Sequence, residues 1–304
     1  MKVLVTGWFS FEQMGATAGD LMARDVACQW LDNCGIEYDV AHAQPFAGGV
    51  DWQTVDPRDY SHVVFVCGPF GNGPPLTEFL ARFAGTALIG LDLSMLQDLQ
   101  EWNPFDLLLE RDSSARSHPD LAFLCNQPRV PVVGLVLIHP QQEYGQRDVQ
   151  AHANAALRRL VNQREMAAVP IDTRLDVNET GLRTAAEVES LIARMDVVLT
   201  TRLHGLVLAL KNRVPAVAVD PVAGGAKIRR QAETIGWPIL LDGEKASDED
   251  LRRAFDFCLT PQARELAQQC AARACRLLES VREEFDSFLK VARQEARGPQ
   301  IALS

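Results

Sequence analysis

The chain has 304 residues, 47% of them hydrophobic and 23% charged, a globular balance with material for two cores rather than one. Its net charge of −10 excludes nucleic-acid backbone binding as the main activity, yet leaves room for a local basic pocket around a small anion. No apolar run reaches the roughly 18–20 residues that cross a bilayer, and the few residues before Gly7 read as a strand, not a signal peptide, so a cytoplasmic location is expected.

In chain order, residues 2–6 form a strand that opens into a glycine-containing loop. From about residue 20, Leu21, Met22, Val26, Ala27, Trp30 and Leu31 recur at helical spacing, and Gly35 closes the helix. Strands follow at 38–41 and 63–67, then the loop 68–75, a helix at 76–83 and strands at 86–90 and 107–110. Two prolines near 126–131 break the pattern. Beyond them come a strand at 132–138, a helix at 147–163 and a strand at 166–171. Thr184 and Glu187 have capping-box spacing for a helix ending near Met195. A strand at 196–200, a helix at 206–211 and a strand at 216–219 come next. Thr260 and Pro261 open a long helix running to about Ala296. Continuous apolar strands alternating with helices indicate parallel sheets covered on both faces. The chain therefore reads as two similar α/β domains, 1–127 and 128–304, the second carrying the long C-terminal helix.

Ligands of such sheets gather where strands end and the next helices begin. Arg202 and His204 follow a strand in that position. Arg202 offers a planar fork for a carboxylate or phosphate, and His204 a second donor or a proton carrier near neutral pH. Gly205 would admit a ligand close to the backbone. Lys227, at the end of the loop Asp220-Pro221-Val222-Ala223-Gly224-Gly225-Ala226, would reach the same anion. The plainer alternatives are an interdomain salt bridge for Arg202, a core hydrogen bond for His204 and a solvated turn around Lys227. Asp106, Asp172 and Asp176 lie near strand ends without an identifiable partner, and His42, His62, His118 and His152 read as surface or loop residues. Seven scattered cysteines without a CxxC pair suggest neither a metal site nor a disulfide framework. No GxGxxG follows the first strand, which disfavours a dinucleotide cofactor.

The stretch 186–236 resembles the C-terminal signature of the polysaccharide pyruvyl transferase family: Val188 to Asp196, then Thr201-Arg202-Leu203-His204-Gly205, then Val214-Pro215-Ala216-Val217-Ala218, then Lys227. Upstream, Gly19-Asp20 is similar to the family's Gly-Asp pair. Arg111-Asp112 and Asp120-Leu121-Ala122-Phe123 are similar to its Arg-Asp and Asp-x-Ala-Phe elements.

The resemblance implies two Rossmann-like domains facing across a cleft, a GT-B-like fold with an acceptor-side first domain and a donor-side second domain. It also implies phosphoenolpyruvate as donor substrate, with no cofactor, and a sugar diol of a glycan or glycan precursor as acceptor. Arg202 and the Leu203 backbone would bind the donor, and His204 would bind phosphate or act as the acid. Asp20 would be a base or an acceptor contact, or else simply a helix cap. The family's usual asparagine before Gly-Asp is Thr17 here, its serine is Ala115, and its arginine after the first strand of the second domain is replaced by His139-Pro140. Arg147 is the nearest arginine beyond it, so Arg147 and Arg111 join the candidate substrate contacts. Two other readings remain: a GT-B-like glycosyltransferase using a nucleotide sugar, and a non-catalytic relative that binds sugar. The acceptor sugar and the oligomeric state are not legible, and a lipid-linked acceptor leaves peripheral membrane contact open.

Overall fold

Alternation along β3 (His62–Phe70) shows why the first sheet is buried on both faces. Val63 and Phe65 join an aromatic cluster with Phe70, Phe79 and Phe83, whereas Val64 and Val66 face a second cluster with Ala23 and Ala27. The computed structural model describes residues 1–139 and 148–295. The chain divides into two units, Met1–Pro128 and Arg129–Ser304.

In the first unit, β1 (Lys2–Gly7), β2 (Glu37–Val40), β3, β4 (Ala87–Met95) and β5 (Leu107–Leu109) form one parallel sheet in the order β2-β1-β3-β4-β5. Val5 lies opposite Val40 on one side and Val64 on the other. Helix α1 (Ala18–Asn33) covers one face, and α2 (Leu76–Arg82) follows β3. Each fully buried ring, such as Phe65 or Phe79, contributes roughly 1.5–3 kcal/mol.

The second unit repeats that topology. Its strands are β6 (Val132–Val136), β7 (Ala167–Pro170), β8 (Val197–Thr200), β9 (Ala216–Asp220) and β10 (Leu240–Asp242), in the parallel order β10-β9-β8-β6-β7. Counted from its own first strand, this is the same order as in the first unit. In both, strand order reverses between the first and third strands, and that switch point is where open α/β sheets hold ligands.

Helices α3 (Gln150–Gln163), α4 (Ala185–Ile192), α5 (Leu203–Lys211), α6 (Lys227–Ile235) and α7 (Asp248–Cys258) surround the second sheet. Helix α8 (Pro261–Glu295) starts as expected, with the Thr260 hydroxyl accepting the Ala263 amide. Two helices and one strand, α6, α7 and β10, were not expected from the sequence, and α5 starts three residues earlier than its periodicity suggested. No helix among the described residues is long and apolar enough to cross a membrane.

Candidate active site

In the second unit, Arg202, Leu203, His204 and Lys227 line one pocket of about 170 Å³ with Asp220 and Ile138. The sequence brings them together through two strand ends. Arg202 is the N-cap of α5 directly after β8, which sets Leu203 and His204 in the first helical turn, where backbone amides lack carbonyl partners. The Thr200 hydroxyl accepts the Arg202 amide at 2.9 Å and fixes that turn. Lys227 is the first residue of α6, after β9. Asp220, almost fully buried, shapes the intervening loop: one oxygen accepts the Val222 amide, the other those of Ala226 (2.8 Å) and Arg229 (3.1 Å).

His204 is exposed at the pocket and makes no hydrogen bond among the described residues, so it is not a core histidine. Arg202 does form a salt bridge, within its own unit. Its Nη1 lies 3.1 Å from Oδ1 of Asp172. Oδ2 of Asp172 lies 3.2 Å from Nε2 of His139. Burial pushes the Asp172 carboxyl up, but the amides of Arg174 and Glu179, with His139, hold it below its ordinary range. Burial pulls the Arg202 guanidinium down from its usual value against the attraction of Asp172. Asp172 follows β7, and the sheet order β8-β6-β7 carries it and His139 to the same edge as Arg202. Sequence reading left it without a partner.

Gly205 requires a correction. It is buried, does not line the pocket, and a Cβ there would overlap the Thr200 hydroxyl and lie 2.9 Å from Val136 Cγ1. It permits close packing of α5 on β8 and β6, not approach of a ligand. Gly205→Ala is therefore expected to lower unfolding free energy by about 1–3 kcal/mol through overpacking, as measured by urea denaturation. An unchanged midpoint would refute that packing role. Arg147 lies outside the described residues.

Asp20 and Arg111 belong to the first unit and line a different pocket, of about 420 Å³, with Trp8, Thr17, Cys67 and Asp120. It sits at the switch point between β1 and β3. Asp20 completes the capping box of α1, whose N-cap is Thr17: its Oδ2 accepts from the Thr17 amide (2.7 Å) and hydroxyl (2.6 Å). In return the Thr17 hydroxyl accepts the Asp20 amide at 3.4 Å. Capping does not remove Asp20 from the pocket, which it also lines. Arg111 Nη1 donates to Asp120 at 2.8 Å and approaches Cys67 Sγ at 3.7 Å, and Nη2 donates to Ser94 at 2.6 Å.

Two non-glycine residues at this edge have left-handed backbones, Cys67 (φ 63°) and Asp92 (φ 59°). Such strain costs on the order of 1–3 kcal/mol and clusters at functional sites. Between them Gly68 (φ 84°) is required, because a Cβ would run into the Trp8 ring. Burial, with Asp20 and Asp92 nearby, pushes the Cys67 thiol up to about 12, so it stays protonated. Burial likewise raises Asp92. Cys67, Asp92 and Asp120 bring ligand atoms within 4.8 Å of one another. The Arg111 guanidinium already touches two of the three and supplies the positive charge a metal ion would bring.

Residues 106–221 match the model of the polysaccharide pyruvyl transferase family, and this match supports a transferase. The match holds Arg111, Asp120, Asp172, Arg202 and His204, and stops before Lys227. No curated protein matches the chain. Among solved structures, the spinosyn forosaminyltransferase SpnP is similar at 14% identity and a TM-score of 0.32, over 90% of this chain and 94% of that one. The UDP-GlcNAc 2-epimerase of Methanocaldococcus jannaschii is similar at 10% identity and 0.33, over 92% and 100%. Anabaena Alr3699/HepE, solved in complex with UDP-glucose, is similar at 12% identity and 0.36, over 96% and 100%.

Proposed function

We propose that this transferase moves the enolpyruvyl group of phosphoenolpyruvate onto a sugar diol of a glycan or lipid-linked precursor in the cytoplasm, forming a cyclic ketal and releasing phosphate. The observation that carries the reading is the convergence of Arg202, His204 and Lys227 on one small pocket at a switch point. Its volume of about 170 Å³ lies below the ~300–1,000 Å³ typical of sites that bury drug-sized ligands. A three-carbon acid phosphate suits it better than a whole nucleotide sugar.

In this reading Arg202 takes a donor oxyanion, helped by the first amides of α5, while Lys227 flanks the same space. The donor's methylene carbon gains a proton, which leaves an oxocarbenium-like centre at its neighbour. One sugar hydroxyl attacks that centre and gives up its proton. The carbon–oxygen bond to phosphate breaks with its electrons on the leaving group, and the second hydroxyl closes the ring, giving up its own proton. One proton ends on the new methyl group and one on phosphate. In this reading His204 supplies the first proton or binds the departing phosphate, and Asp20 is the candidate base for the acceptor.

The test is phosphoenolpyruvate titration into the wild-type chain, followed by phosphate release across a panel of sugar diols, with His204→Ala alongside. Binding and sugar-dependent phosphate release in the wild type are expected, with release reduced about 100-fold or more in the variant. No binding to the folded wild-type chain, with or without sugars, sinks the reading.

A further inference from the structure

A groove in the first unit, distinct from the pocket around Asp20 and Arg111, encloses about 920 Å³. Its walls come from the loop after β1, the loop 42–53 after β2, and the turn that enters α2 after β3. All three lie at the carboxyl edge of the parallel sheet, where ligands of such sheets collect. The groove and the Asp20 pocket share Met14 and so adjoin.

The walls are held in shape before any ligand arrives. Loop 42–53 is pinned by the Val50 amide to the Val40 carbonyl and the His42 amide to the Val50 carbonyl, both at 2.9 Å. Phe11 and Trp52, each 6% exposed, pack with ring centroids 5.3 Å apart beneath it.

The groove's charge is one-sided. Glu12, Asp51 and Glu78 line it, all exposed, and none forms an ion pair among the described residues. Among the described residues no lysine or arginine lines it. Arg24 and Arg82 approach from behind: the first pairs with Asp25 and meets His42, and the second donates to the carbonyls of Trp52 and Val55. Burial, then Arg24, pulls His42 below its ordinary value, so the ring adds no positive charge at neutral pH.

We infer that this groove receives the acceptor and selects an uncharged or amine-bearing sugar over an anionic one. The inference rests on the transferase reading above for the groove's role as acceptor site. Three unneutralised carboxylates repel a uronate or sugar phosphate, while Gln44, Gln53 and the carboxylates supply the hydrogen-bonding groups that hydroxyls and ammonium groups need.

The test follows backbone amide resonances of the full chain during titration with methyl glucoside, its 2-amino-2-deoxy analogue and methyl glucuronoside, then the galacto and manno series. Neutral and amino sugars are expected to shift Gly48, Gly49 and Gln53, with the uronosides bound about tenfold more weakly, or about 1.4 kcal/mol. That gap is expected to close as ionic strength rises from ~0.01 to ~1 M and the screening length falls from about 30 to about 3 Å. It is also expected to close in Glu12→Gln/Asp51→Asn/Glu78→Gln, three exposed positions. Uronosides binding as tightly as neutral sugars in the wild type, or no glycoside shifting the groove amides, overturns the inference. Phosphoenolpyruvate is titrated separately. Sugar selectivity without donor binding upholds the groove and sinks the donor reading, and the reverse upholds the donor and sinks the groove.

Discussion

Arg202→Ala is expected to weaken phosphoenolpyruvate binding by about 2–5 kcal/mol, roughly 30-fold to several-thousand-fold by titration calorimetry. The magnitude follows from what the side chain has left to give. Among the described residues only Nη1 is engaged, by Asp172, which leaves Nε and Nη2 to meet a ligand oxyanion. The side chain is 16% exposed, so a bond formed there is weakly screened compared with one at the surface. Arg202→Lys keeps the charge but loses the fork, and an intermediate loss is expected of it. Equal losses from both variants would make the fork essential. An unchanged affinity in folded Arg202→Ala would remove Arg202 from the donor site altogether.

Arg202 and its neighbours were legible because their chemistry is local: a buried strand ends, a charged fork follows, and a helix begins. The partners were not legible, since they come from other strands. Asp172 lies 30 residues before Arg202, and only the sheet order carries β6, β7 and β8 to one edge. Some signals were present and unread. Ser247 and Asp250 form a capping box, followed by Leu251, Ala254, Phe255 and Cys258 at helical spacing, which mark α7. Ile228, Ala232 and Ile235, closed by left-handed Gly236, mark α6 in the same way. Gly205 was misread for a different reason. A glycine beside a ligand and one beneath a packed helix look alike in sequence, and only the position of Thr200 separates them. In the first unit Asp20 was read as a base or acceptor contact, or else as a helix cap; its carboxylate takes part in the capping box of α1 and also lines the pocket.

Asp172→Asn is expected to cost about 3 kcal/mol of unfolding free energy, the low end for breaking a buried ion pair. The low end applies because solvent reaches both partners, Arg202 at 16% and His139 at 25% side-chain exposure, although Asp172 itself is only 5% exposed. The substitution replaces one acceptor oxygen by a donor where four donors already converge: Arg202, His139 and the amides of Arg174 and Glu179. The pH dependence has a fixed sign. Asp172 has its carboxyl held below the ordinary value in the folded chain, so its contribution is complete above the unfolded value of about 3.9 and disappears as pH falls through the folded one. Wild type and variant should therefore differ by a constant amount from neutral pH to about 5, then converge in stronger acid. On the proposed reading donor affinity should fall as well, although Asp172 does not line the pocket around Arg202 and His204, because Arg202 loses the group that aims it. Urea unfolding at several pH values, paired with phosphoenolpyruvate titration, separates these effects. A variant that loses stability but binds the donor normally would make Asp172 purely structural. One that loses both, with the acid convergence, would make it the residue that positions Arg202.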